Sequence, residues 1–178
     1  MLTDHYRAMA RYNRWMNGRL YDASARLDDE QRKRDVGAFF RSLHGTLNHL
    51  LVADRIWLGR LTMDPARGQS LAADGTVIPF TGLDQELYAD FDQLRREREK
   101  ADDDLIAWIE SLSEADVAAP LQYHNLAGKA FASPLWHPVS HVFNHQTHHR
   151  GQVTALLFQL GVDPGVTDLV YMLRTEGT

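Results

Sequence analysis

Apolar residues recur at the spacing of an amphipathic helix along four long segments of this chain. The segments cover residues 3–27, 37–62 and 84–111, and a fourth that starts within 134–138 and ends near Leu160. Each is about five turns or more in length and has one apolar face that can be buried against the others. The pattern therefore predicts an all-α fold.

The segments between these helices have a different character. Residues 64–82 are rich in Gly, Pro and Asp, which predicts a long loop and makes it a candidate cover over a site. Residues 119–132 alternate polar and apolar side chains around a glycine, which predicts a short β-hairpin or an extended loop. Residues 167–174, after an Asp-Pro-Gly turn, are expected to form a short capped helix.

The limits of the fourth long helix depend on two residues that restrict the backbone. A proline inside a helix removes a hydrogen bond and clashes with the preceding turn, so Pro138 favours a late start and makes His137 a doubtful member of the helix. Gly161 is the expected C-terminal stop.

Length and charge narrow the choice of partners. The 178 residues are expected to form a single domain. The net charge is −5 and basic residues alternate with acidic ones, so neither nucleic acid nor an anionic membrane is an expected partner. The charged run from Arg95 to Asp104 is interpreted as a solvated helix face.

Cysteine is absent from the chain, which excludes disulfides, cysteine-ligated metals and a cysteine nucleophile. Any thiol chemistry would need a thiol carried by a ligand. The N-terminal residues resemble neither a secretory signal nor a presequence, and no apolar run is long enough to span a bilayer, so we expect a cytoplasmic location.

Histidines are concentrated in the fourth long helix, where five of the nine lie between residues 137 and 149. Residues four apart on a helix lie one above the other, so His145 and His149 can converge on one metal ion. His49 is the best candidate for a third ligand, because it lies on the apolar side of the second long helix, where an unpaired polar ring would be costly to bury.

The remaining histidines have simpler interpretations. His44 lies about 140° around the helix from His49, so the two cannot share an ion without distortion. His5, His44 and His124 are interpreted as hydrogen-bonded core residues, and His137 is left out of the ligand set. His141 and His148 are interpreted as packing, surface or supporting residues, although either could contribute to the site.

Three neutral imidazoles without cysteine favour zinc, nickel or another late divalent metal and leave coordination positions open. Gln146 follows His145, so the His-Glu-x-x-His motif of metalloproteases is absent. No carboxylate base is evident beside the proposed ligands, unless Asp54 or Asp168 folds inward.

Several segments together resemble the DinB-like (DinB/YfiT-like) family of metal-dependent four-helix proteins. They are Asn13-Arg-Trp-Met-Asn17, Leu47-Asn-His49, Ala53-Asp-Arg-Ile-Trp57, Asn144-His145-Gln-Thr-His-His149-Arg-Gly-Gln152 and, at the C-terminus, Thr167-Asp168-Leu-Val-Tyr171. The resemblance covers nearly the whole chain, and the His-His-Arg-Gly-Gln run is its most specific part.

The resemblance implies an antiparallel four-helix bundle, a divalent metal such as zinc or nickel held by His49, His145 and His149, and a homodimer. It also implies a low-molecular-weight thiol as a cosubstrate, because the better understood relatives are thiol-dependent transferases or isomerases. The leading hypothesis is a metal-dependent enzyme of the S-transferase type that acts on small electrophiles. A metal-dependent hydrolase and a non-catalytic, metal-stabilised stress-response protein are the alternatives.

Overall fold

The computed structural model describes residues 1–176. Within them the chain is 61% helical, with 7 helices and two small antiparallel hairpins, so the prediction of an all-α fold is confirmed. The helices are α1 (Leu2–Ser24), α2 (Asp29–Lys33), α3 (Leu43–Leu61), α4 (Phe91–Glu110), α5 (Glu114–Ala118), α6 (Trp136–Gln159) and α7 (Leu169–Glu176). A 3₁₀ turn (Pro65–Gly68) precedes the strands β1 (Ser70–Leu71) and β2 (Val77–Ile78), and β3 (Pro120–His124) pairs with β4 (Ala130–Pro134).

The four long helices pack around a shared core. Helix α1 packs against α4 and α6, and α3 packs against the same two helices. Leucines make up much of the core between them, including Leu20, Leu47, Leu51, Leu94 and Leu157. The antiparallel bundle order stays a prediction. Among residues 1–176, no helix has the length and apolar character that crossing a membrane requires.

Two helices begin later than the sequence pattern predicts. Helix α3 starts at Leu43 instead of residue 37, because Gly37 and Arg41 adopt positive φ angles of 72° and 67°, which a helix cannot contain. Ser42 caps the helix by accepting a 3.0 Å hydrogen bond from the Gly45 N–H. Helix α4 starts at Phe91 instead of residue 84, with Asp90 as its cap.

Helix α6 begins at Trp136, so the doubt about His137 is corrected: this residue is helical. Pro138 lies in the first turn, where the backbone N–H has no intrahelical partner to lose. The predicted end is confirmed, because the helix stops at Gln159 and Gly161 follows with a φ of 80°.

The predicted long loop between α3 and α4 contains two short strands that the sequence pattern did not indicate. Its end is fixed against α3: the Tyr88 carbonyl accepts hydrogen bonds from His44 at 2.9 Å and Asn48 at 3.2 Å, and the Tyr88 N–H donates to Asn48 at 3.0 Å. These contacts hold the loop, including Leu83, over one side of α3. The predicted hairpin within 119–132 is confirmed by strands β3 and β4.

Part of the charged run on α4 is buried, which corrects its interpretation as a solvated face. Arg98 is 2% exposed and forms ion pairs with Asp54 at 2.8 Å and Asp102 at 3.0 Å. Both positions follow the apolar spacing of Leu94, a signal that the charged composition obscured. The formal charges are matched by buried neighbours, as charges away from water require.

This buried charge cluster links all four long helices. Its members are Asn13 and Asn17 of α1, Asp54 of α3, Arg98 and Asp102 of α4, and Gln146 and Arg150 of α6. Gln146 donates to Asp54, and each is close in sequence to a candidate metal ligand on its own helix. The cluster therefore fixes the position of α6 along its axis relative to α3, and this position brings the histidines of the two helices together.

Candidate metal site

Three histidines from two helices converge on one point. His49 of α3 faces His145 and His149, which lie one turn apart on α6. The Nε2 atom of His49 is 3.2 Å from the Nε2 atoms of both partners. Within the part of the chain that the structure describes, these three side chains form a group whose ligand atoms could hold a metal ion.

The spacing of the nitrogens matches what a metal requires. Two nitrogens bound to one tetrahedral zinc ion at 2.0–2.1 Å lie about 3.4 Å apart. The observed 3.2 Å contacts are therefore close to the separation of two imidazoles on a shared ion.

Hydrogen bonds on the far side of the rings fix two of the tautomers. His49 Nδ1 donates to the Leu83 carbonyl at 2.7 Å, and His149 Nδ1 donates to the Gln152 side-chain oxygen at 2.7 Å. The Nε2 atoms of both rings consequently carry lone pairs, and these atoms face each other at 3.2 Å. Two facing lone pairs repel each other unless a cation lies between them, so the donor set fits a metal ion.

The local environment keeps the ligands neutral. Burial, followed by the nearby His149 and His49, lowers the pKa of His145 to about 3. Burial also lowers the pKa values of His49 and His149 below the ordinary value. Neutral imidazole is the form that binds a metal.

The Phe40 ring covers one side of the site. It stacks on the His49 ring with centroids 3.8 Å apart and an interplanar angle of 16°, and it meets the His149 ring edge-on at 5.6 Å. This contact restricts the orientation of His49 and shields that side of the site from water.

A cavity of about 490 Å³ opens on the other side. His49 and His145 form part of its wall, together with Trp57 and Arg60 of α3, Leu83 of the loop and the tip of the β3–β4 hairpin. The volume lies within the range of small-molecule sites. A ligand in this cavity would lie directly against the histidines.

The other histidines lie outside the group. His141 borders the cavity, with its ring 5.8 Å from that of His145, and His148 is exposed with its ring edge against His149. The core interpretation holds for His44, which is fully buried. It is wrong for His5 and His124, which are exposed.

The two candidate bases do not serve the site. Asp54 does fold inward, but it is engaged by Arg98 and Gln146 in the buried charge cluster. Asp168 lies beyond α6, where its carbonyl accepts hydrogen bonds from the start of α7. No acidic side chain lines the described cavity.

Sequence reasoning missed several parts of the site. The Leu83 carbonyl is a backbone group whose position depends on the fold of a loop, and no sequence pattern indicates it. Phe40 lies in the segment that was predicted to be helical. Gln152 could have been found, because a residue three positions after His149 lies on the same side of a helix.

Comparisons with known proteins give a family and a similar protein. The chain matches the model of the DinB family over residues 1–177. It is also similar to Protein DinB of Bacillus subtilis (strain 168), with 23% identity over 168 residues that cover 93% of each chain. No solved structure matches the chain.

Proposed function

Because this chain belongs to the DinB family, we propose that it is a metal-dependent enzyme of the S-transferase type that joins a low-molecular-weight thiol to a small electrophile. His49, His145 and His149 hold a divalent metal in this proposal, with zinc or nickel as the ion. The observation that carries it is the convergence of three neutral imidazoles at one end of a cavity that contains no acidic side chain.

The residues of the site have distinct tasks. The three Nε2 atoms supply neutral ligands, and the Leu83 carbonyl and Gln152 orient two of the rings through their Nδ1 atoms. When bound, the metal would lower the pKa of a coordinated thiol or water, so that a nucleophile exists at neutral pH. Phe40 shields the far side, and reactants enter through the cavity.

The absence of a carboxylate base in the described cavity favours thiol transfer over hydrolysis. A thiolate attacks without further help, whereas water attack usually needs a positioned general base. Asp54, which folds inward from the helix that carries His49, is held by Arg98. In the proposed reaction a sulfur–carbon bond forms, the bond to the leaving group breaks, the leaving group departs with the electron pair, and the thiol proton passes to solvent.

The cavity also favours an enzyme over a purely structural metal protein. Structural metal sites are closed by protein ligands, whereas His49 and His145 here border open space of about 490 Å³. A hydrolase would use the same open position.

The test is turnover by protein loaded with zinc or nickel, using 2-mercaptoethanol and 1-chloro-2,4-dinitrobenzene. We expect thioether formation above the uncatalysed rate, and its loss in His145→Ala. The matched control is His148→Ala, which removes an exposed histidine of the same helix and is expected to retain activity.

Other outcomes separate the alternatives. Thiol-independent cleavage of 4-nitrophenyl acetate that disappears in His145→Ala would favour the hydrolase. Absence of both activities, together with unfolding when the metal is removed, would favour the non-catalytic protein.

We also propose that two copies form a homodimer, as the family resemblance implies. Exposed apolar side chains on α7, including Val170, Tyr171 and Leu173, are compatible with an association surface. Light scattering on the purified protein tests this: a mass near 40.6 kDa, twice the 20.3 kDa of one chain, is expected, and the mass of one chain would contradict it.

A further inference from the structure

Arg60 is the charged residue of the cavity wall that the metal site does not use. It lies in the last turn of α3, and its guanidinium is 4.9 Å from the centre of the Trp57 ring and 5.8 Å from that of Tyr123. Arg55, on the same helix, pairs with Glu97 at 3.0 Å and Asp104 at 3.2 Å. Among the side chains of residues 1–175, no carboxylate lies within ion-pair distance of Arg60.

The electrostatics of the cavity favour a negatively charged ligand. Arg60 is partly buried, and this burial lowers its pKa although the guanidinium stays charged at neutral pH. His141, its neighbour in the wall, carries no negative charge in either protonation state and so cannot neutralise Arg60. The described wall therefore carries one positive charge that has no negative partner.

Another part of the cavity wall offers apolar surface. Leu126, at the tip of the β3–β4 hairpin, is 55% exposed although it borders the cavity, and Ala127 beside it is also exposed. The hairpin is held in this position by Tyr123, whose ring meets that of Trp57 edge-on at 5.4 Å. A ligand between Leu126 and Trp57 would remove apolar surface of both from water.

From these contacts we propose that the cavity binds a small amphipathic carboxylic acid. Its carboxylate pairs with Arg60, since a guanidinium matches a carboxylate with two parallel hydrogen bonds. Its apolar body lies between Trp57 and Leu126.

A series of contacts between side chains runs along the cavity from Arg60 to the candidate metal site. The Trp57 ring lies 5.1 Å from that of His141, which lies 5.8 Å from that of His145. The reacting atom of the acid is therefore at the end remote from its carboxylate, beside the histidines. This last point rests on the proposed function, whereas the carboxylate contact does not.

Fluorescence titration with dansylglycine and its uncharged amide tests the carboxylate contact. The metal-free wild-type protein is expected to bind the acid roughly tenfold or more tightly than the amide, the effect of a charged hydrogen-bonded pair. Arg60→Gln is expected to abolish the preference. Arg67→Gln, at an arginine outside the cavity that pairs with Asp64, is the matched control and retains it.

Several results would overturn the inference: equal affinities for acid and amide in the wild type, no binding of either probe, or a preference that survives in Arg60→Gln. Arg60→Lys is the second variant if Arg60→Gln does not fold. It retains the charge but not the planar fork, so an intermediate preference is expected, and an unchanged preference would contradict the two-bond contact.

In the proposed reaction, the carboxylic acid is either the thiol or the electrophile. Displacement of the probe from zinc-loaded protein distinguishes these two roles. Stronger displacement by 3-mercaptopropionate than by butanoate assigns the carboxylate to the thiol, and equal displacement assigns it to the electrophile. Both results support the inference, and displacement by neither acid would overturn it. Because the probe binds without metal, a carboxylate preference in a protein without S-transferase activity would refute the proposed reaction and leave this inference standing.

Discussion

Gln152 is predicted to set the metal affinity although it does not contact the metal. Its side-chain oxygen accepts the 2.7 Å hydrogen bond from His149 Nδ1, which fixes the tautomer and the orientation of the ring. Leucine in its place has a similar size but no acceptor, so His149 could rotate or take the other tautomer. Loss of such a supporting contact typically weakens metal binding about 10–100-fold, equivalent to about 1.4–2.8 kcal/mol.

The assay is competition for zinc against a chromophoric chelator at fixed pH. Gln152→Leu is expected to show the weakened affinity, whereas Gln152→Glu, which offers a stronger acceptor, is expected to bind at least as tightly as the wild type. The control is Gln159→Leu at the exposed end of the same helix, with no expected change. Equal zinc affinity in Gln152→Leu and Gln159→Leu would refute the reasoning.

Two further predictions concern stability. Arg98→Met leaves two buried carboxylates without their cationic partner and should lower the free energy of unfolding by about 3–5 kcal/mol in urea titrations. The control Arg96→Met, on the exposed face of the same helix, should change this free energy by no more than about 0.5 kcal/mol. Equal effects of the two variants would contradict the role of the buried charge cluster. In metal-free protein, burial lowers the pKa of His44 below its value of 6.5 in the unfolded chain. Below pH 6.5 the unfolded chain therefore binds a proton that the folded chain does not, so the free energy of unfolding is highest above this pH and decreases as the pH falls below it. His44→Gln should therefore reduce the acid-side slope of stability against pH by up to about 1.4 kcal/mol per pH unit, and an unchanged slope would contradict this assignment.

The sequence predicted those features that depend on periodicity within one helix. Apolar spacing located the four long helices, and the four-residue interval paired His145 with His149. His49 could be selected because a histidine on an apolar helix face needs a polar partner. These predictions depend on local geometry, which is the same in every α-helix.

Features that depend on how separate segments meet could not be predicted. Arg98 was assigned to the surface because charged composition usually indicates solvent, and only the fold shows the carboxylate of Asp54 opposite it. The Leu83 carbonyl and the hairpin tip at Leu126 reach the site through irregular connections. The start of α3 depended on positive φ angles, including one at Arg41, which is a residue type that rarely adopts them.

The central claim is that His49, His145 and His149 bind one metal ion. Elemental mass spectrometry on untagged protein tests it most directly, comparing the wild type with the double variant His49→Ala, His149→Ala and with a control double variant at the exposed residues His137 and His148. The account predicts about one zinc or nickel ion per chain in the wild type and the control, and loss of the metal in the first variant. Absence of metal from the wild type, or full retention in His49→Ala, His149→Ala, would contradict it.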